Sequence, residues 1–218
     1  VPTYPGWWPH VWAWFFGGSW FDNSGAFTPD HPGNIRAYNW ISSLRHRWDM
    51  KEFAELINPI GARDPDPFLT GKVAMVFEGD WIVRRLLRFP DLEWTPVAFP
   101  TVDRRPAALI VADMLSIPKG AQHPGGAAKF IRFAMQPNRI EQLALAQGKI
   151  SPIKHWSEKF LETHRNPKLR ELQKILLSAQ LFHDPQVSGW MNYLECIKTA
   201  FKSIWSGQQS PAQALAAI

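Results

Sequence analysis

Gly71-Lys72-Val73-Ala74-Met75-Val76-Phe77-Glu78-Gly79-Asp80-Trp81-Ile82-Val83-Arg84-Arg85-Leu86-Leu87 decides how the rest of the chain is read. Lys72 to Phe77 is a short apolar run with two valines, the length and composition of a buried strand. Gly79 breaks the run, and Asp80 is a residue suited to capping a helix N-terminus. Beyond it Ile82, Leu86 and Phe89 recur at helical spacing beside Val83 and Leu87, while Arg84, Arg85 and Arg88 suit a solvated face. The expectation is a strand, a glycine turn, and a helix whose first turn carries Trp81. In open α/β sheets ligands bind at the carboxyl ends of strands, where first-turn amides lack intrahelical partners. Trp81 is thus the first candidate for a ligand contact.

The 218 residues are enough to bury a full core as one domain or two small ones. With 45% hydrophobic and 20% charged residues, the composition is that of a globular chain rather than a disordered one. No apolar run approaches the ~18 residues that a membrane span requires. The single cysteine, Cys196, excludes an internal disulfide framework and leaves the redox compartment open. The net charge of +5 invites a nucleic-acid reading, but the basic residues are scattered and no nucleic-acid-binding motif accompanies them. No nucleic-acid partner is therefore expected. No set of histidines, cysteines and carboxylates has metal-ligand spacing, so neither metal nor cofactor is expected.

Tryptophan is the compositional oddity: there are twelve, five of them within the first twenty residues. Pro9 suits the first turn of a short helix ending at Gly17-Gly18, in which Val11, Trp14 and Phe15 share a face. Trp7 and Trp8 precede that helix and are not needed to build it. Trp20 to Gly25 reads as an edge strand or hairpin closing on a turn. Pro32 opens a helix with an apolar stripe of Ala37, Trp40, Ile41, Leu44 and Trp48, and both tryptophans are expected in the core. His31 and His46 read as surface residues. Asp64 and Asp66 lie among prolines, where aspartate is a turn former, and no third group accompanies them for acid–base chemistry.

Further on, Leu92 to Phe99 and Leu109 to Ile117 read as strands separated by a loop over Thr101 to Ala107. A helix follows His123-Pro124, with Ala127, Phe130, Ile131 and Ala134 on its expected buried side. The next runs from Pro137 to Gln147 and ends on Gly148. Trp156 and the stripe Leu169, Leu172, Ile175 and Leu176 complete a helical region. The last long helix places Trp190, Leu194, Ile197, Phe201 and Ile204 on one face and stops at Gly207. Ser210-Pro211-Ala212-Gln213 is a capping-box start for a final short helix. Trp190 is expected to be packed, with Tyr193 and Glu195 as weaker cleft candidates.

These residues resemble the sugar-binding proteins of bacterial ABC transporters, the extracellular solute-binding family that includes maltose-binding proteins. The family pattern small/Gly-Lys-x-Ala-Met-x-x-x-Gly-x-Trp is met by Gly71 to Trp81. The string Lys-Gly-x-x-His-Pro-x-x-Ala-x-x-Phe-Ile-x-Phe is met by Lys119 to Phe133 and is the most diagnostic. Pro90 to Pro100 resembles Pro-Asp-Leu-x-Trp-Gly-x-x-x-Phe-Pro, with Thr95 in place of glycine. Gly148 to Pro152 resembles a loop that approaches the family's cleft.

The resemblance implies that Trp81 stacks on a sugar and that Trp7 and Trp8 line the cleft; the alternative is that the latter two pack on the following helix. Asp80 then sits beside the ligand as an acceptor for a hydroxyl. Asp113, where the family often has glycine, is a further acceptor by analogy only.

What the resemblance implies for the whole is an α/β, helix-rich, periplasmic-binding-protein-like fold of type II with two lobes. It covers only the later part of the family's sequence, so the chain is expected to be a fragment without the amino-terminal part. Residues 1–98 and 149–218 would then belong to the carboxyl lobe, and 99–148 would form a return segment toward the amino lobe. The implied function is the non-catalytic, substrate-binding component of an ABC importer, periplasmic or extracellular and membrane-anchored. It would capture a sugar or oligosaccharide by stacking and hinge closure and pass it to the permease. Glycerol-phosphate esters are alternative ligands within that class. A carbohydrate-active enzyme with tryptophan platforms, and a helix-rich interaction module whose tryptophans are all core, are the competing classes.

Overall fold

The computed structural model describes residues 8–47, 66–111 and 113–218. They form two compact units that the chain enters more than once. The first contains the described residues up to Met75, with Ala98–Ile110 and Ser178–Ile218; the second contains Val76–Val97 and Val111–Leu177. Trp7, Trp48 and Asp64 lie outside the described residues.

In the first unit, α1 (Val11–Phe15), α2 (Pro32–Arg45), α8 (Trp190–Ser206) and α9 (Pro211–Ala216) surround one core. Helix α8 organises it. Trp190, Leu194, Ile197, Phe201 and Ile204, spaced by three and four, are all buried as the sequence pattern requires. Gly207, with φ of 76°, ends α8 in the left-handed conformation that glycine adopts without Cβ cost. Ser210 and Gln213 then form the expected reciprocal capping box for α9.

Helix α2 turns a different face inward than its sequence stripe suggests. Asn34, Ala37, Tyr38 and Ile41 are buried, whereas Trp40 is 38% exposed and packs sideways on Trp12 and Phe16. The reason is polar. The Tyr38 hydroxyl donates to the Pro9 carbonyl at 3.1 Å, and the Asn34 amide donates to the carbonyls of Ser19, Thr28 and Pro29, which fixes the rotation of the helix. A Cβ on Gly33 would collide with the backbone of Gly18, so α2 begins in direct contact with the turn after α1. His31 caps α2, its Nδ1 accepting from the Gly33 N–H at 3.1 Å, and is not simply a surface residue.

The described sheet is small. Strands β1 (Ala107–Leu109) and β2 (Gln180–Phe182) pair in parallel, with Ala107 opposite Gln180. Antiparallel bridges join Phe99 to Ala107 and Phe21 to Phe27, the latter at the expected hairpin. The longer strands read from the sequence are not formed. Residues 72–77 are without ladder pairing, with Met75 82% exposed; in 110–117, Val111, Met114 and Leu115 are open to solvent. A strand is stable only in a ladder, and beyond the Ile110 N–H, which donates to the Phe182 carbonyl at 2.7 Å, these runs have no neighbouring strand among the described residues.

The second unit contains a 3₁₀ turn (Asp80–Ile82) running into α3 (Val83–Leu86), then α4 (Pro124–Ala134), α5 (Pro137–Gln147), α6 (Glu158–Thr163) and α7 (Leu169–Ser178). Its core is Ala144, Trp156, Phe160 and Leu169, with Leu145, Ile150, Ile153, Leu161 and Leu176 packed around it. Glu141 is the polar anchor. Its carboxylate accepts from the Ser157 N–H and hydroxyl at 2.7 and 2.6 Å, while Ser157 Oγ caps α6 by accepting from Phe160 N–H. Helix α4 departs from expectation: none of its residues is fully buried, and Phe130 is 62% exposed. His123 holds its N-cap position without a side-chain bond to the helix.

Candidate ligand-binding site

The turn that presents Trp81 is built from the organising stretch, but by a different device than an aspartate cap. Gly79 is the N-cap residue, and Ile82 N–H closes the 3₁₀ turn on the Gly79 carbonyl at 3.1 Å. Ile82, Val83 and Leu86 are buried, which fixes the turn on the unit. Trp81 directly precedes them in sequence yet remains 37% exposed, with its benzo ring folded back over the Gly79 α-carbon. An indole anchored on one side and open on another is a stacking surface for the C–H face of a ring-shaped ligand.

Asp80 is turned the other way. Its Oδ2 accepts the backbone N–H of Ile150 at 2.8 Å, so the carboxylate secures the loop at 148–151 instead of capping its own helix. That loop starts where Gly148 ends α5 at φ 66°. The Lys149 ammonium pairs with Asp113 at 3.1 Å, across side chains that are largely exposed. His164 fixes the loop from beneath. Its Nδ1 accepts the Asn166 N–H at 3.0 Å, which leaves Nε2 to carry the proton and donate to the Lys149 carbonyl, also at 3.0 Å. The Trp156 indole N–H donates to the Ser151 carbonyl at 3.0 Å. Asp80, Trp81, Asp113 and the 148–151 loop therefore come together in the second unit.

Trp8 belongs to the first unit. It is half-buried, and its carbonyl accepts the Val11 N–H at 3.1 Å, starting α1. Two residues further on, His10 is buried and its Nε2 lies 2.8 Å from Asp184, between the edges of Trp14 and Trp190. This hydrogen bond from His10 is the main cause holding the Asp184 carboxyl below its usual range, against the opposing effect of burial. Sequence reading missed the pair, because 174 residues separate its members. Beyond Asp184 an open recess of about 570 Å³ is lined by Pro185–Val187 and by Gly189–Asn192, with Met191 exposed. Trp190 is in the core as expected; Tyr193 is also buried, and Glu195 is engaged with Lys198 on the surface. Burial pushes the Tyr193 hydroxyl far above its ordinary value, so it stays neutral.

Among the described residues no cluster of histidine, cysteine and carboxylate side chains is arranged to hold a metal, and no helix is long and apolar enough to cross a membrane.

A helix-rich α/β chain with an aromatic platform at a glycine turn falls into the class of type II periplasmic-binding-protein-like folds, and solved structures of that class superpose on it. A mannobiose-bound protein, CpMnBP1, matches with a TM-score of 0.77 and 25% identity, over 99% of this chain and 56% of that one. An ABC substrate-binding protein from Listeria monocytogenes in complex with cycloalternan matches at a TM-score of 0.71 and 17% identity, over 96% of this chain and 53% of its own. A cyclic alpha-maltosyl-1,6-maltose binding protein from Arthrobacter globiformis matches at 0.68 and 17%, over 96% and 52%. This chain thus spans just over half the length of these structures. The family model for bacterial extracellular solute-binding proteins matches residues 3–137, and the chain belongs to that family. No curated protein sequence matches it.

Proposed function

We propose that the protein is the substrate-binding component of an ABC importer, capturing a sugar or oligosaccharide outside the cytoplasm and delivering it to permease subunits. The observation that carries the proposal is Trp81, 37% exposed on a turn that the buried Ile82 and Val83 anchor. Support comes from the mannobiose-bound neighbour, which matches nearly the whole chain. Trp7 and Trp8 are further aromatic candidates in this reading and Asp113 a candidate acceptor for a sugar hydroxyl, whereas Asp80 supports the site through its bond to the Ile150 N–H. Hinge closure completes capture.

The proposal is non-catalytic. Hydrolysis of a glycosidic bond takes two carboxylates, one to protonate the leaving oxygen and one to act from the opposite face. Asp80 and Asp113 instead hold the amide of Ile150 and the ammonium of Lys149. In the same reading, residues 1–98 and 149–218 are carboxyl-lobe segments and 99–148 is a return segment. Polypeptide beyond these 218 residues supplies partner strands for 72–77 and 110–117, and a cover for the exposed Phe130 and Phe133 of α4. The experiment is titration of the complete protein with mannobiose, maltose and longer oligosaccharides, followed by intrinsic fluorescence and by assay of glycoside turnover. Saturable binding without turnover is expected; turnover, or fluorescence indifferent to every sugar, removes the reading.

A further inference from the structure

We infer that Gly79 is the positioning residue for the Trp81 platform, with Asp80 as its partner through the 148–151 loop; this rests on Trp81 being the stacking ring. Glycine is often required because the backbone is left-handed, as at Gly148 with φ 66°. Gly79 has no such need: at φ −92° and ψ 175° its backbone is extended, a conformation open to any residue. The requirement is steric. A Cβ built at position 79 would lie inside the van der Waals radii of Cζ3, Cη2 and Cε3 of Trp81, three atoms of the benzo ring. The indole therefore rests on bare main chain, and any side chain at 79 would drive it off. A stacking surface is useful only if its plane is fixed before the ligand arrives, and here one missing methyl group fixes it.

The bond from Asp80 to Ile150 fixes the turn from the other side. Ile150 packs on the core of the second unit, so this 2.8 Å bond ties the residue before Trp81 to a rigid point. The contact requires an acceptor oxygen, which a neutral amide side chain also provides. Gly148 is part of the same brace: a Cβ there would lie 3.3 Å from Arg84 Cγ, which brings the loop against α3.

The test uses the complete protein, with mannobiose and maltose as probes in calorimetric titration, and the variants Trp81→Ala, Gly79→Ala, the double variant, Asp80→Ala and Asp80→Asn. Gly79→Ala is expected to weaken binding by about tenfold or more, and to change the near-ultraviolet dichroism assigned to Trp81 by difference from Trp81→Ala. The double variant should bind no more weakly than Trp81→Ala alone, because position 79 acts through the ring. Asp80→Ala should weaken binding, and Asp80→Asn should restore it. The inference is overturned if Gly79→Ala binds as wild type, if its loss recurs in full without Trp81, or if the Trp81 dichroism is unchanged. Equal losses in both Asp80 variants would overturn the role given to Asp80. If Trp81→Ala binds both sugars as wild type does, or wild type binds neither, the stacking reading fails on its own. The dichroism of Gly79→Ala still decides whether Gly79 seats the ring.

Discussion

Replacing Trp81 by alanine removes the surface on which the proposed ligand rests, and the loss can be worked out. With 37% of the residue open, and ~250 Å² as the extent of a tryptophan side chain, about 90 Å² is available for a sugar to cover. At ~25 cal/mol per Å² that area contributes about 2 kcal/mol, or roughly thirtyfold in Kd. The other side of the ring lies on Gly79, so truncation also removes packing. A stability cost of ~1–2 kcal/mol follows, a fall in Tm of about 2–8 °C for a chain of this size. Calorimetric titration of wild type and variant well below the melting range, with a thermal scan of each, separates the two effects. A variant that melts early but binds its sugar as tightly as wild type would put Trp81 in a structural role and refute the assignment.

Asp184 titrates below its ordinary value because His10 bonds to it, so its stabilising effect is present above the unfolded value of 3.8 and is lost as pH falls through the folded one. Urea midpoints from about pH 6 down to about pH 2.5 should therefore fall less steeply for Asp184→Asn than for wild type. Ser157→Ala removes the cap of α6 and the hydroxyl's bond to buried Glu141, while the backbone N–H bond to Glu141 stays, and should cost ~1–3 kcal/mol by urea unfolding. Phe130→Ser should change the stability of the 218-residue chain by no more than ~0.5 kcal/mol, since the ring is 62% exposed. The same substitution in the complete protein should cost ~2 kcal/mol or more if that face is covered there.

What was legible in the sequence follows the range of the interaction that decides each element. Helices α8 and α9 were readable because spacing, Gly207 and the Ser210 box are local. The strands were not: an apolar run is a strand only when another segment pairs with it, and 72–77 and 111–117 have no such neighbour among the described residues. Where pairing occurs, it joins Ala107–Leu109 to Gln180–Phe182, a combination that no local pattern announces. The tryptophans divide in the same way. Spacing placed Trp190 in the core, but the rotation of α2 is set by Asn34 and Tyr38 bonding to distant carbonyls, and Trp40 was misplaced accordingly. At the candidate site the motif singled out Trp81 as the stacking candidate. The bond of Asp80 to Ile150 spans 70 residues, and with it the reason for the aspartate was out of reach of local reading.

The central claim is that this protein captures carbohydrate with a platform completed by polypeptide beyond these 218 residues. Isothermal titration of the complete protein and of the 218-residue chain, against one panel of mannobiose, maltose and larger oligosaccharides, tests it most directly. Sugar hydroxyls that enter a site must find hydrogen bonds there, each contributing about 1 kcal/mol net. A site lacking several of them loses orders of magnitude in affinity. The account predicts that the complete protein binds at least one saccharide with a Kd of about 1 μM or tighter, and that the 218-residue chain binds it only weakly. No heat from any saccharide with the complete protein would contradict the sugar-binding claim, and equal, tight binding by both would show that the site is self-contained.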